Sequence, residues 1–199
     1  TLIPANENYA RELLELYSIG KGLNNNEVLF SEDDVKAVAN VLSGWCVCNN
    51  TDGSFKRILC KDSVSYDTKF SPELHSKIDK QLSESFNNQK IAYISGIDGG
   101  LLEINELFDI LFSRKETSEN YIRKLYRFFV YANITPEVEA NIIQPLSLSF
   151  RTGGDGYKPF DVKYILYQLL SSEHFYHKEQ IGCMIKNPLD FVSTLFNQT

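Results

Sequence analysis

The sequence lacks any apolar run that approaches the length of a membrane span. Its longest apolar runs are similar to the one from Phe128 to Ala132, whereas a transmembrane helix needs roughly 20 apolar residues. We therefore expect no membrane insertion.

The sequence also lacks an excess of positive charge. It has 20 Lys and Arg residues against 26 Asp and Glu residues, which gives a net charge of −6. Nucleic-acid binding needs clustered cations that displace counterions from the phosphates, and anionic membrane surfaces attract basic segments. We expect neither kind of partner.

Residue patterns for metal or nucleophilic chemistry are scarce. His174 and His177 lie three residues apart, but no acid accompanies them as in a His-Glu-x-x-His helix. A catalytic zinc takes three protein ligands, so exposed imidazoles at a helix end are the simpler interpretation. No serine stands in a Gly-x-Ser-x-Gly elbow, and the glycine-rich stretches lack the Lys-Ser/Thr pair of a phosphate loop. We expect no metal and no cofactor.

The chain has only four cysteines. Cys46 and Cys48 share one face of a predicted strand because side chains alternate along it, and Cys60 lies on the predicted partner strand. Free thiols are one expectation. A disulfide from Cys60 to Cys46 or Cys48 is the other, in an oxidising compartment.

Apolar residues at helical spacing are what the sequence does have. They predict helices at both ends of the 199-residue chain, including 6–18, 101–112 and 118–131, the last with Phe128 facing inward. Pro136 after Thr135 predicts a helix start, with an interruption near Pro145. The predicted fold is mainly α, a helical bundle-like domain with a small β-hairpin-containing insertion.

Three parts are predicted along the chain. Residues 1–45 form an N-terminal helical part, and 46–100 form an insertion with loops and a hairpin that pairs Cys46–Cys48 with Phe55–Cys60. Residues 101–199 form a C-terminal helical part that packs on 1–45. Trp45 is expected to close the apolar stripe of a helix over 31–44 and to pack in the core.

The helix that begins after Ser31 carries three acids in its first turn, Glu32, Asp33 and Asp34. Their oxygens suit a hard cation, but the spacing is not that of a calcium loop. A Ser31 cap, with acids at the positive helix end, is the favoured interpretation.

The first helix carries the candidate site. Glu7, Arg11 and Glu15 are spaced four residues apart and share one face, with Asn8 and Glu12 beside them. A functional interpretation makes Glu7, Glu12 or Glu15 an acid or base and makes Asn6, Asn8 and Arg11 ligand-binding residues. The structural interpretation makes Arg11 the hub of a partly buried ion-pair network with Glu7 and Glu15.

The segment from Asn6 to Leu16, followed by Ser18 and Gly20, resembles the signature of the bacterial domain-of-unknown-function 1800 family. Further resembling segments follow in the expected order: Phe30–Val35, Leu42–Trp45, Ile122–Val130, Leu169–Phe175 and Lys186–Pro188. The resemblance implies the C-terminal part of a longer, exported bacterial protein of unknown activity. It departs at Tyr66, which stands near the place of a histidine that family members often carry before the Asp.

Two functions are expected from this resemblance and from the residues. The first is a non-catalytic helical module of an exported protein, in the periplasm, at the cell surface or secreted. It would bind the N-terminal part of the same polypeptide, another exported protein or a glycan. The second is a carboxylate-dependent hydrolase whose active site is completed by that N-terminal part. We expect no catalytic turnover from this chain alone.

Overall fold

The computed structural model describes residues 5–23, 27–49 and 66–180, and helix is the main secondary structure in them. The predicted mainly α fold with a small hairpin is confirmed. Within the described ranges, no helix combines the length and the apolar character needed to span a bilayer. The chain divides into two compact units, residues 1–117 and residues 118–199.

The N-terminal unit begins with two capped helices, α1 (Glu7–Glu15) and α2 (Glu32–Val41). Ser31 caps α2 through a capping box, in which its hydroxyl and the Asp34 carboxylate each bond the other residue's backbone N–H. The predicted cap is therefore confirmed. α1 and α2 pack against each other through buried side chains that include Leu14 and Val38.

Two small antiparallel ladders follow in the N-terminal unit. β1 (Trp45–Asn49) pairs with β2 (Tyr66–Phe70), and β3 (Lys80–Gln81) pairs with β4 (Lys90–Ile91) around a short 3₁₀ turn. β1 therefore pairs with β2, while the predicted partner, Phe55 to Cys60, lies outside the described residues. Because β2 is far along the chain, local turn signals do not reveal this pairing.

Trp45 starts β1 rather than closing the helical stripe of α2, which ends at Val41. It stands opposite Phe70 in the ladder, and the two ring centroids are 5.4 Å apart. Its side chain is half-buried, so the expectation of a fully packed Trp45 on the helix is wrong.

The last long element of the N-terminal unit is α3 (Gly99–Ser113). One face of α3 joins the core that α1 and α2 begin. The second ladder and its turn, residues 80–91, contribute to the same core. The largest buried residues of this core are Leu14, Ile19, Leu82, Phe86, Ile91, Leu107 and Leu111.

The described part of the C-terminal unit is mainly helical. α4 (Lys115–Phe129) enters it, and a short helix α5 (Pro136–Val138) continues through a π-helical turn (Glu139–Ile143) into α6 (Gln144–Thr152). Pro145 lies in the first turn of α6, so the predicted interruption is confirmed. α7 (Val162–Leu170) and a short 3₁₀ turn (Lys178–Gln180) follow. Phe128 is 71% exposed, so its predicted inward orientation is wrong.

Candidate functional site

The candidate ligand-binding asparagines lie at the start of α1. The Oδ1 of Asn6 accepts a hydrogen bond from the backbone N–H of Tyr9 at 3.0 Å, which makes Asn6 the N-cap. This bond satisfies a donor that the helix start leaves unpaired. Glu7 and Asn8 follow in the first turn, with exposed side chains.

Arg11 forms its ion pair with α2, not within α1. Its guanidinium donates to both carboxylate oxygens of Glu32, at 3.0 and 2.5 Å. The hydrogen bond from Arg11 lowers the pKa of the Glu32 carboxyl below its ordinary value. The two side chains are 35% and 68% exposed. The predicted network with Glu7 and Glu15 is therefore wrong in its partner.

The remaining carboxylates of α1 have different surroundings. Glu15 pairs with Lys21 at 2.8 Å, and Glu12 is half-buried on the same helix. Acid–base hydrolysis of a glycoside needs two carboxyls that face each other at roughly 5 to 9.5 Å. Glu7, Glu12 and Glu15 are placed along one helix, which by itself does not create that arrangement.

Asp34 is the most heavily bonded carboxylate at the start of α2. Its oxygens accept hydrogen bonds from the backbone N–H and hydroxyl of Ser31, at 2.7 and 2.8 Å, and from those of Ser83, both at 2.7 Å. Burial alone raises the pKa of this carboxyl, but these donors outweigh it and lower the pKa below its ordinary value. Asp34 therefore anchors α2 to the segment before β4.

A fully enclosed polar cluster lies between β3 and α3, and we call it the Lys80 cluster: Lys80, Glu103 and His75. The three side chains are at most 1% exposed. Lys80 Nζ donates to Glu103 Oε2 at 2.5 Å, and His75 Nε2 lies 3.0 Å from the same oxygen and 3.3 Å from Nζ. The other oxygen, Glu103 Oε1, accepts from the backbone N–H of Ile94 at 2.8 Å.

The turn after α2 fixes the imidazole of the Lys80 cluster. His75 Nδ1 lies 2.8 Å from the carbonyl oxygen of Ser43, and because a carbonyl only accepts, Nδ1 carries the proton. Gly44 has a φ of +84°, and a Cβ there would lie 3.0 Å from His75 Cβ. A side chain at position 44 would thus strain the backbone and crowd the imidazole.

Aromatic rings surround the Lys80 cluster. Phe70 meets the His75 ring edge-on at 5.0 Å, and Tyr93 stacks near it at 6.1 Å. Lys80 Nζ also lies 5.5 Å from the centre of the Tyr93 ring. The cluster is therefore an enclosed arrangement of an amine, a carboxyl and an imidazole.

Sequence reasoning missed the Lys80 cluster because its members are far apart in the chain. One signal was present: Glu103 occupies a core position of α3, one turn before Leu107. A charged residue there requires a buried partner. The sequence does not reveal that Lys80 and His75 supply it.

The histidine pair and the cysteines lie away from the Lys80 cluster in the sequence. His174 Nε2 lies 2.9 Å from the Tyr126 hydroxyl, and burial lowers the pKa of His174. No three His, Cys, Asp or Glu side chains converge as a metal site in the part of the chain that the structure describes. Cys60 and Cys183 lie outside the described residues, as do the side chains of Cys46 and Cys48.

The outward face of α3 is apolar, like its buried face. Leu101, Phe108 and Phe112 recur at helical spacing, and they are 51%, 37% and 37% exposed. We call these residues, with Leu102 and Ile97 beside them, the α3 stripe. Ile97 is 72% exposed just before the helix.

A groove of about 310 Å³ runs beside the α3 stripe. Its polar lining includes Glu106 and Asp109 from α3, and Gln89 and Lys90 from the β4 region. Lys90 also pairs with Asp79 at 2.6 Å. The α3 stripe is therefore an apolar surface with acidic side chains along one side.

Comparison with known proteins identifies the family. Searches among curated proteins and among solved structures found no match. Residues 3–198 match the family described as "Protein of unknown function (DUF1800)". That match covers nearly the whole chain and includes α1, the Lys80 cluster and the α3 stripe. The chain therefore belongs to the DUF1800 family.

Proposed function

We propose that this domain is a non-catalytic helical module that binds a partner protein through the α3 stripe. The observation that carries the proposal is a helix with two apolar faces. Leu107 and Leu111 of α3 are buried, whereas Leu101 and Phe108 on the other side are exposed. Exposed apolar patches of this kind mark interaction sites.

The chemistry of the α3 stripe favours a protein over a glycan. Asn105 is the polar residue between Leu101 and Phe108 on that face, and a sugar needs several polar groups beside an aromatic ring. The flank with Glu106 and Asp109 favours a partner with basic side chains around an apolar centre. Such a partner can be another part of the parent polypeptide or a separate protein.

The proposal includes export, to the periplasm, the cell surface or the medium. Its support is the resemblance of the segment from Asn6 to Leu16 to the DUF1800 family signature, which implies an exported bacterial protein. Export also keeps open a disulfide from Cys60 to Cys46 or Cys48, because such bonds persist in oxidising compartments.

The test is capture of partner proteins from the source cells by the immobilised domain. We expect a specific protein to be retained by the wild type and lost with Leu101→Ser combined with Phe108→Ser. The control combines Leu148→Ser with Phe128→Ser, two exposed apolar residues of the C-terminal unit. Equal retention by both double variants would contradict the α3 stripe as the binding surface.

The alternative is a carboxylate-dependent hydrolase that uses Glu7, Glu12 or Glu15, with an active site completed by another part of a longer protein. Arg11 and Glu32 lie beside that face and would bound one side of such a cleft. Turnover of model glycosides, esters or phosphate esters by the parent protein, lost with Glu12→Gln or Glu15→Gln while the fold remains intact, would favour this alternative.

A further inference from the structure

The Lys80 cluster contains the parts of an amide-forming reaction. Lys80 is an amine, and its Nζ is already in contact with the Glu103 carboxyl at 2.5 Å. The imidazole of His75 reaches both reacting groups, at 3.3 Å from Nζ and 3.0 Å from Oε2. We propose that Lys80 and Glu103 are joined by an intramolecular isopeptide bond that forms autocatalytically in the folded protein.

The two oxygens of Glu103 have different surroundings, and each suits a different role. Oε1 accepts the Ile94 N–H at 2.8 Å, so negative charge that develops there during attack is stabilised as in an oxyanion hole. Oε2 faces His75 Nε2 and Lys80 Nζ, so it is the oxygen that can be protonated and leave. Oε1 becomes the amide carbonyl and keeps its bond to Ile94.

The proton and electron balance closes without any co-reactant. The Lys80 ammonium first gives a proton to Nε2 of His75, whose Nδ1 keeps its own proton on Ser43. The nitrogen lone pair then forms a bond to the Glu103 carbonyl carbon, and the bond from that carbon to Oε2 breaks. Two protons from the ammonium, carried by His75, end on Oε2. The products are one neutral amide and one water molecule.

Burial supplies the driving force. An ammonium and a carboxylate held away from water carry a large desolvation penalty, and Lys80 and Glu103 are both fully buried. Condensation removes both charges at once. The fold also holds the two groups in fixed contact, and such positioning gives effective concentrations of roughly 10⁵ M or more.

The experiment is intact-mass spectrometry of the purified, denatured wild-type protein, followed by tryptic mapping. We expect a mass that is lower than the sequence mass by one water molecule. We also expect residues 78–90 and 91–114 to appear as one branched peptide, because trypsin does not cleave after an amidated Lys80. An unmodified mass, with free peptides cleaved after Lys80, would overturn the proposal and leave a plain ion pair.

Matched variants locate the bond. Lys80→Met should abolish the loss of water, whereas Lys90→Met, which removes an exposed lysine paired with Asp79 at 2.6 Å, should retain it. His75→Gln should leave a larger unmodified fraction after the same incubation, because the proton relay is gone. A loss of water that maps to other residues, or that persists in Lys80→Met, would also overturn the proposal. The wild-type measurement decides even if a variant fails to fold.

Discussion

Asp34 shows how one side chain connects two segments of the N-terminal unit. It accepts hydrogen bonds from Ser31, at the start of its own helix, and from Ser83, across 49 positions of sequence. The sequence predicts the first bond because Ser31 and Asp34 have capping-box spacing. It does not predict the second, because no local pattern connects residues so far apart.

Replacement of Asp34 by alanine should destabilise the N-terminal unit by about 3 kcal/mol, because it leaves buried donors of Ser31 and Ser83 without an acceptor. The measurement is urea unfolding followed by circular dichroism. Asp33→Ala is the matched control, since Asp33 is exposed and pairs with Lys36 on the surface. Equal midpoints for the two variants would contradict the anchoring role of Asp34.

The lowered pKa of Asp34 also predicts a pH dependence. The contribution of its charged form is fully present above the unfolded pKa, at about 4, and is lost as the pH falls through the lower pKa of the folded state. The difference in unfolding free energy between wild type and Asp34→Asn should therefore shrink on acidification below about pH 4. Unfolding titrations at several pH values test this. A difference that is constant with pH would be inconsistent with it.

Two arginines illustrate the difference between an exposed ion pair and a buried ion pair. Arg123 on α4 is 7% exposed and pairs with Glu139 at 2.5 Å and with Glu119 at 3.2 Å. Arg11 pairs with Glu32 at the surface. Both are arginines with acids at helical spacing in the sequence, so the sequence alone does not tell which pair is buried.

Arg123→Met should cost about 3 kcal/mol of unfolding free energy, because it leaves the Glu139 carboxylate buried without its partner. Arg11→Met should leave the unfolding midpoint nearly unchanged, because exposed ion pairs contribute little. Urea denaturation of both variants checks the comparison. A larger loss for Arg11→Met than for Arg123→Met would reverse this ranking and restore a structural hub at Arg11.

Among the secondary-structure elements, helix starts could be predicted from the sequence, whereas the segments that pack or pair with each other could not. Ser31 before α2 and Thr135-Pro136 before α5 both cap helices as predicted. The pairing of β1 with β2 and the outward orientation of Phe128 depend on which segments meet in space. Local spacing carries no information about that.

The two faces of α3 should respond differently to substitution. Leu107 is fully buried, so Leu107→Ala should cost about 2–5 kcal/mol. Leu101→Ser, on the α3 stripe, should cost much less, because Leu101 is 51% exposed. Chemical denaturation of the two variants checks this. A strong destabilisation by Leu101→Ser would show that the stripe packs within the chain and does not serve a partner.

At the scale of the whole molecule, the boundary between the two compact units falls within α4, between residues 117 and 118. The sequence placed its boundaries elsewhere, after residues 45 and 100, where helical periodicity changes. Helical periodicity reports local structure, whereas a compact unit is defined by long-range packing. α3, which follows the predicted insertion, shares the core of α1 and α2.

The candidate functional residues also divide into those that local spacing reveals and those that depend on long-range packing. The sequence singled out the polar face of α1 because its acids and Arg11 have regular spacing. The Lys80 cluster and the α3 stripe came only from the structure. The cluster depends on partners that are far apart in the chain, and the stripe depends on which apolar side chains are solvent-exposed. A buried face and an exposed face of an apolar helix have the same composition.

The central claim is that the α3 stripe contacts a partner protein. The most direct measurement is photo-crosslinking in the source cells, with a photoreactive phenylalanine analogue at position 105, between Leu101 and Phe108. The control carries the same analogue at position 141, also an exposed helical asparagine but in the C-terminal unit. We expect a discrete crosslinked protein, identified by mass spectrometry, from position 105 and not from position 141. No crosslink from position 105, or the same products from both positions, would show that the α3 stripe is not the contact surface.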